Sequence, residues 1–320
     1  MAMAEADFAP VRFSTADLPA RERIPIAREV FGRQMMGIDI EPLGDRPLQL
    51  DMTIRRLPAL RVGTMSSPGV RLMRSPELIA DDEDVFSFAM ELGQTSNASS
   101  RDRDVTLGAG DAVLMHSMAP CVTTHRGSRF VAAVIPRTAL APLVANVDDR
   151  VMRSIPADNE ALRLLPVYLR TVCGDMPMTS SGLALAVENH VLDLVALAVG
   201  ATRDGTAQAK SRGLAAARLA VIKTDILANL GRRDLSIDLI ADRHGLSARH
   251  IRRLLSAEDT SFSDFVLEQR LMRAYRMLSN PRHAKRSISA VAYECGFGDL
   301  SYFNRCFRRR FGASPREFRH

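Results

Sequence analysis

Between Leu300 and Phe311 the chain sets Ser301, Asn304, Arg305, Arg308 and Arg309 among three phenylalanines, Phe303, Phe307 and Phe311. The phenylalanines recur every four residues, so on a helix they share one face and the polar set lies on or near the other. Guanidinium forks beside amide and hydroxyl groups suit two contacts: charge-assisted bonds to phosphate oxygens, and bidentate bonds to the O6 and N7 edge of guanine. A second set, Arg249, His250, Arg252 and Arg253, surrounds Ile251, Leu254 and Leu255 and follows Ser247, which is placed to cap its helix. The chemistry on offer is recognition of a polyanion, without a covalent step.

The charge distribution points the same way. The 320 residues carry a net charge of +6, yet residues 214–320 hold 20 Lys and Arg against 11 Asp and Glu, which leaves −3 for residues 1–213. A basic excess confined to one part favours a polyanion partner for that part. Catalysis finds little support: no nucleophile elbow, P-loop, H-E-x-x-H or dinucleotide fingerprint occurs, and Gly108-Ala-Gly110-Asp111 reads as a turn between strands. Cys121, Cys173, Cys295 and Cys306 show no C-x-x-C spacing, so neither a disulfide framework nor a zinc knuckle is indicated. No cofactor is expected. No apolar run of eighteen or more residues and no secretory leader is visible, which gives a cytoplasmic expectation.

Each basic face sits in a helix pair. Ile288, Val291 and Ala292 give a short helix its apolar side, Gly296 and Gly298 bracket a turn, and the Leu300–Phe311 helix follows. Earlier, Ile237, Leu239, Ile240 and Ala241 precede Gly245-Leu246-Ser247 and the second basic helix. Gly245 and Gly296 stand 51 positions apart, which suits two modules joined by a long helix whose stripe is Leu267, Leu271, Ala274 and Leu278.

From about Leu214 to His320 the sequence resembles the AraC/XylS family of transcription regulators. The resemblance is carried by IADRHGLSARHIRRLL, by FSDFVLEQRLMRAYRML and by GFGDLSYFNRCFRRRFGASPREFR. It implies a domain of seven helices with two helix-turn-helix units that read successive major-groove segments of double-stranded DNA. It also implies activation through RNA polymerase. By position in the family motif, Arg249 and Arg253 of the first recognition helix, and Leu300, Ser301 and Arg305 of the second, are the base-reading candidates. Leu300 departs from the polar residue expected there and suits a thymine methyl instead.

The N-terminal part changes period. Phe86, Phe88, Met90 and Leu92 alternate with polar or small residues, as do Leu60, Val62 and Thr64, and Phe130, Ala132 and Val134. Glycines at 69, 93, 108, 110 and 127 punctuate them, so an antiparallel barrel or sandwich is expected. Ser14 to Asp17 read as the cap of a helix running towards Gly32, with Leu18, Ile24, Val30 and Phe31 on its buried side. Residues 55–136 look like the cupin-like sensor of the same family, through VRLMRSPELI, DVFSFAMELG and VTLGAGDAVLMHS. Only His116 and His125 precede the helical region, without an H-x-H partner, so no metal site is expected.

Helices are expected over Thr138–Asn146, Asn159–Val172 and Ser180–Thr202. The last is apolar on more faces than one barrel covers, which points to a homodimer. The organisation expected is α+β with two domains: a cupin-like antiparallel barrel with dimerisation helices at 1–202, a linker at 203–213, and an all-α DNA-binding domain at 214–320. The inward positions of the barrel are expected to be large and apolar. A small organic effector is expected there, with Arg61, Arg71 and His116 as candidate contacts and an anionic ligand favoured if an arginine points in. Two other readings stay open: a barrel that only dimerises, and an enzyme with a helix-turn-helix tail using Cys121 or Cys173 as acceptor thiol.

Overall fold

The computed structural model describes residues 8–29, 32, 37–79, 83–174, 178, 180–202, 210–280 and 286–318. The chain forms two compact units, Met1–Ala217 and Arg218–His320.

In the first unit the strands are β1 (Val11–Ser14), β2 (Asp39–Pro42), β3 (Asp51–Arg56), β4 (Arg61–Ser67), β5 (Val70–Arg74), β6 (Val85–Glu91), β7 (Ser96–Ser100), β8 (Arg103–Leu107), β9 (Ala112–His116), β10 (Cys121–His125), β11 (Ser128–Pro136) and β12 (Ser154–Ile155). They make two antiparallel sheets, ordered β1-β3-β4-β11-β6-β9-β12 and β2-β5-β10-β7-β8. Among the described residues no pairing joins the sheets into a closed cylinder, so the expected barrel is an open two-sheet structure.

The helices of this unit are α1 (Ala20–Ile26), α2 (Pro76–Ile79), α3 (Arg137–Leu140), α4 (Glu160–Cys173) and α5 (Ser181–Val199). The expected first helix exists but starts at Ala20, because Ser14 is spent as the end of β1, where its hydroxyl donates to Asp51. Val30 and Phe31 of that expected helix lie outside the described residues. The helix expected over 138–146 is cut to Arg137–Leu140. Pro142 brings no N–H to continue it, and Val144 forms a β-bridge with Ala201. Asn159 and Ser180 cap α4 and α5 by accepting from the Ala161 and Leu183 amides.

Helix α5 is long and apolar enough to cross a membrane by length and composition. It is built into this unit, however: α4 packs along it, and its buried Glu188 accepts from the Ala59 and Leu60 amides in the turn between β3 and β4. Residues 203–209 of the expected linker lie outside the described residues. The remainder of it, within a helical turn at Lys210–Leu214, is anchored on α5, where Arg212 donates to Asp193 at 2.7 and 3.0 Å.

Alternation sorts the β6 side chains by size. Phe86 and Phe88 are fully buried on the face away from the second sheet, whereas Ser87 and Ala89 face the space between the sheets.

In the second unit, α6 (Ala215–Ala228, whose first turn belongs with the first unit) is followed by α7 (Ile237–His244), α8 (Ala248–Ser256), α9 (Phe262–Leu278), α10 (Ile288–Glu294) and α11 (Leu300–Phe311). Against the seven helices implied by resemblance, the described residues show these six and a closing turn at 315–318. The starts are fixed by Ser236, Ser247, Ser261, Ser287 and Asp299, each accepting a backbone N–H from the first turn of its helix. The expected stripe on α9 is buried against α10 and α11, with Phe303 and Phe307 fully enclosed and Phe311 stacked on Tyr275 at 4.9 Å.

Candidate nucleic-acid interface and sensor cavity

Two helix-turn-helix pairs emerge from these caps, α7–α8 and α10–α11. Helix α8 buries Ile251, Leu254 and Leu255 and leaves Arg249, Arg252 and Arg253 exposed. His250 is half-buried, and its Nδ1 lies 3.4 Å from an Arg253 Nη. Burial, then the charges of Arg253 and Arg218, hold its imidazole below the usual histidine pKa. Ser247 spends its side-chain oxygen on the His250 amide.

Helix α11 buries Phe303, Cys306 and Phe307 and exposes Ser301, Asn304, Arg305, Arg308 and Arg309. Leu300 is half-buried and packs on the core of this unit, which limits what it can offer outward. Arg310, read from sequence as a phosphate contact with its two neighbours, is tied to Glu268 on α9 at 2.8 and 2.9 Å. Sequence reasoning missed Tyr302, which is 43% exposed at the start of α11 with the Arg305 guanidinium 5.6 Å from its ring centre. Tyr302 stands outside the four-residue period of Phe303, Phe307 and Phe311, so the aromatic spacing does not mark it.

The scaffold behind α7 and α8 is ionic. Asp225 on α6 accepts from Arg243 at 3.1 Å, His244 at 3.0 Å and Asn229 at 2.9 Å, which fixes the end of α7 just before the turn. Behind the second pair, Arg270 on α9 donates to the Leu230 and Arg232 carbonyls at 3.0 and 2.7 Å.

In the first unit a cavity of about 100 Å³ lies between the two sheets. Two of the three effector candidates line it. Arg61 is held by Glu83 at 2.6 and 3.3 Å, and His116 by Asp84 at 2.7 Å, with its ring 5.0 Å from Phe86. Arg71 is exposed on β5 and is absent from the lining; Arg74, three residues on, lines it instead and donates to the Ser117 carbonyl at 2.8 Å. His125 also lines it, 3% exposed, with Nδ1 3.2 Å from Glu91 Oε2.

Nothing here activates a thiol. Burial pushes the Cys121 thiol up to about 11 and Cys173 to about 12. Cys121 and His125 share a strand face but stand four residues apart, about 13 Å along β10. His125 is bonded to Glu91 instead. Among the described residues no three His, Cys, Asp or Glu gather as metal ligands.

Residues 27–199 match the model of the AraC-binding-like domain, and residues 240–320 match that of a helix-turn-helix domain. The chain belongs to the AraC family of transcription regulators. It is 28% identical to the transcriptional activator RhrA of Rhizobium meliloti (strain 1021) over 97% of this chain and 96% of that protein. It is 27% identical to the transcriptional activator NphR of a Rhodococcus species over 81% and 77%. Among solved structures, the AraC-like transcriptional activator CuxR covers 95% of its own length and 83% of this chain, with 16% identity and a TM-score of 0.48. Domains and relatives are those of DNA-binding regulators, not of enzymes, so the enzyme reading falls. This AraC family member carries its basic helices in the helix-turn-helix match and its cavity in the AraC-binding-like match.

Proposed function

We propose that the protein is a cytoplasmic, homodimeric activator in which a sensor at residues 1–202, joined through 203–213, controls a DNA reader at 214–320. Helices α8 and α11 read two successive major-groove segments, and the activator contacts RNA polymerase at the promoter. The observation that carries the reading is the paired geometry: each second helix starts at a side-chain cap, buries an apolar face and presents arginines on the other. Arg249, Arg253, Ser301 and Arg305 are assigned to bases; Arg252, Asn304, Arg308 and Arg309 to phosphates or groove edges. The dimer is supported by Leu183 and Leu185, 40% and 49% exposed near the start of α5.

The cavity supports a small organic effector over a barrel that only dimerises. Arg61 and His116 already hold Glu83 and Asp84, so an anion at this end would have to displace an internal carboxylate. DNase footprinting of the full chain on its promoter tests the DNA reading. Recognition helices one turn apart, roughly 34 Å, predict protection of about 20 base pairs per protomer, asymmetric and on one face. A single short palindrome would contradict it.

A further inference from the structure

The walls of the cavity are uneven, and the cause is strand register. Gly63 pairs with Ala132, and Ala132 with Ala89, so three small residues stand side by side on the cavity face of the seven-stranded sheet. The next rung on one side holds Met65, Phe130 and Glu91; on the other it holds Arg61, Val134 and Ser87. Large inward residues were expected throughout. The short side chains of Ala132 and Ala89 leave a flat shelf, closed at the Gly63 end by Ile54, which leans over the glycine, and lined also by Leu72 and its strand partner Thr123.

Size and polarity narrow what fits. An engineered apolar cavity of about 150 Å³ holds benzene, so about 100 Å³ here is the scale of a single ring and not of a fused system. A sugar would leave several hydroxyls against apolar walls, which costs free energy for each unmade bond. Met52, Met65 and Met115 line the cavity, and thioethers contact aromatic ring edges favourably.

One polar group is poised to receive a donor. The His125 ring stacks on Phe130, with centroids 4.0 Å apart and planes at 13°, so its orientation is fixed. Burial alone would raise the Glu91 pKa, but hydrogen bonds from His125 and the Gly93 amide outweigh it, and the carboxyl stays below its ordinary value. Nδ1 of His125 is engaged by Glu91 at 3.2 Å, which leaves Nε2 as the ring nitrogen that can meet a ligand. A neutral donor there displaces nothing, unlike an anion at Arg61.

We infer that the effector is a neutral monocyclic phenol, its ring on the Gly63–Ala132–Ala89 shelf and its hydroxyl donating to Nε2 of His125. A phenol keeps its proton at neutral pH, as tyrosine does with a pKa of about 10. The inference rests on the effector reading above and sharpens it.

The test is titration calorimetry of the full chain with phenol, toluene, cyclohexanol and benzoate. Toluene matches phenol in shape without the O–H, cyclohexanol keeps the O–H without the aromatic ring, and benzoate supplies the anion. Phenol is expected to bind at least tenfold more tightly than each of the others. It should also shift the ¹⁵N resonance of His125 Nε2, which toluene leaves in place. Ala132→Leu fills the shelf and is expected to abolish phenol binding with its circular dichroism unchanged. Toluene within threefold of phenol, tighter benzoate, or silence from all four overturns the phenol assignment. Thermal shift of wild type and Ala132→Leu against a small-metabolite extract separates the two levels. A shift in wild type alone keeps the effector reading whatever phenol does. Silence in both, beside silence from phenol, overturns the effector reading as well.

Discussion

Arg253 and Arg308 carry the same charge but are placed for different work. Arg253 lies on α8 beside a half-buried His250 whose depressed pKa keeps the ring neutral, so its guanidinium is steadied by an acceptor without a competing counter-charge. Arg308 sits in the last turn of α11, past the residues that would meet base edges. Arg253→Ala should therefore cost about 1–3 kcal/mol on the operator and relax preference at one or two base pairs. Arg308→Ala should weaken binding evenly across sequences and reduce the log–log salt slope by about one. Fluorescence anisotropy on operator and random duplexes over a salt series reads both. An equal loss on the two duplexes for Arg253→Ala would end its assignment to bases.

At the scale of elements, the two helix-turn-helix pairs share a plan but differ in what holds their turns. Gly245 has φ of +61° and open space where a Cβ would go, whereas Gly296 has φ of +89° and a Cβ there would meet the Leu230 carbonyl oxygen at 2.2 Å. Gly245→Ala should cost about 1–2 kcal/mol, the left-handed backbone penalty alone. Gly296→Ala should cost clearly more, since backbone clamped by Arg270 must also give way. Urea unfolding of the full chain ranks the two, and equal losses would mean that the Leu230 contact has no consequence. The positions of these turns were legible in the sequence because glycine spacing and four-residue aromatic periods are local signals. Their supports were not. Arg270 with Leu230, and Asp225 with Arg243 and His244, join residues 18 to 40 positions apart, and no local pattern marks such pairs. The cavity fared likewise. Alternation revealed the strands, but which face of β6 turned inward was settled by tertiary packing, which gave Phe86 and Phe88 to one side and Ser87 and Ala89 to the other. Arg61 and His116 are therefore candidate effector contacts by sequence, while their partners Glu83 and Asp84 lie outside any alternating run.

Across the whole molecule, charge and chemistry are divided: the basic excess is all in residues 214–320, and the cavity is all in the first unit. The chain between the two units is one route for a signal from cavity to reader, and coupling through it is limited by how differently the two states treat that chain. Its final residues before α6 are held by more than proximity. Asp193 is 1% exposed on α5 and has both carboxylate oxygens engaged by Arg212, whose pKa is raised by those hydrogen bonds. Gly213 fits so closely that a Cβ would come 2.4 Å from the Asp193 Cβ. Nearby, Tyr168 on α4 bonds His190 on α5 at 2.7 Å, so the docking site is itself braced. Removing the charge of Asp193 leaves Arg212 without a counter-ion and exchanges an acceptor for an amide that cannot receive at both atoms. Asp193→Asn should then release this segment, and limited trypsin treatment of the native full chain should cut after Lys210 or Arg212 at least several-fold faster than in wild type. Operator affinity should stay within twofold, because the helices that present Arg249, Arg253 and Arg305 are held by other contacts. Unchanged cleavage would show that the Arg212–Asp193 pair does not restrain the connection, and lost operator affinity would show that Asp193 supports the reader itself.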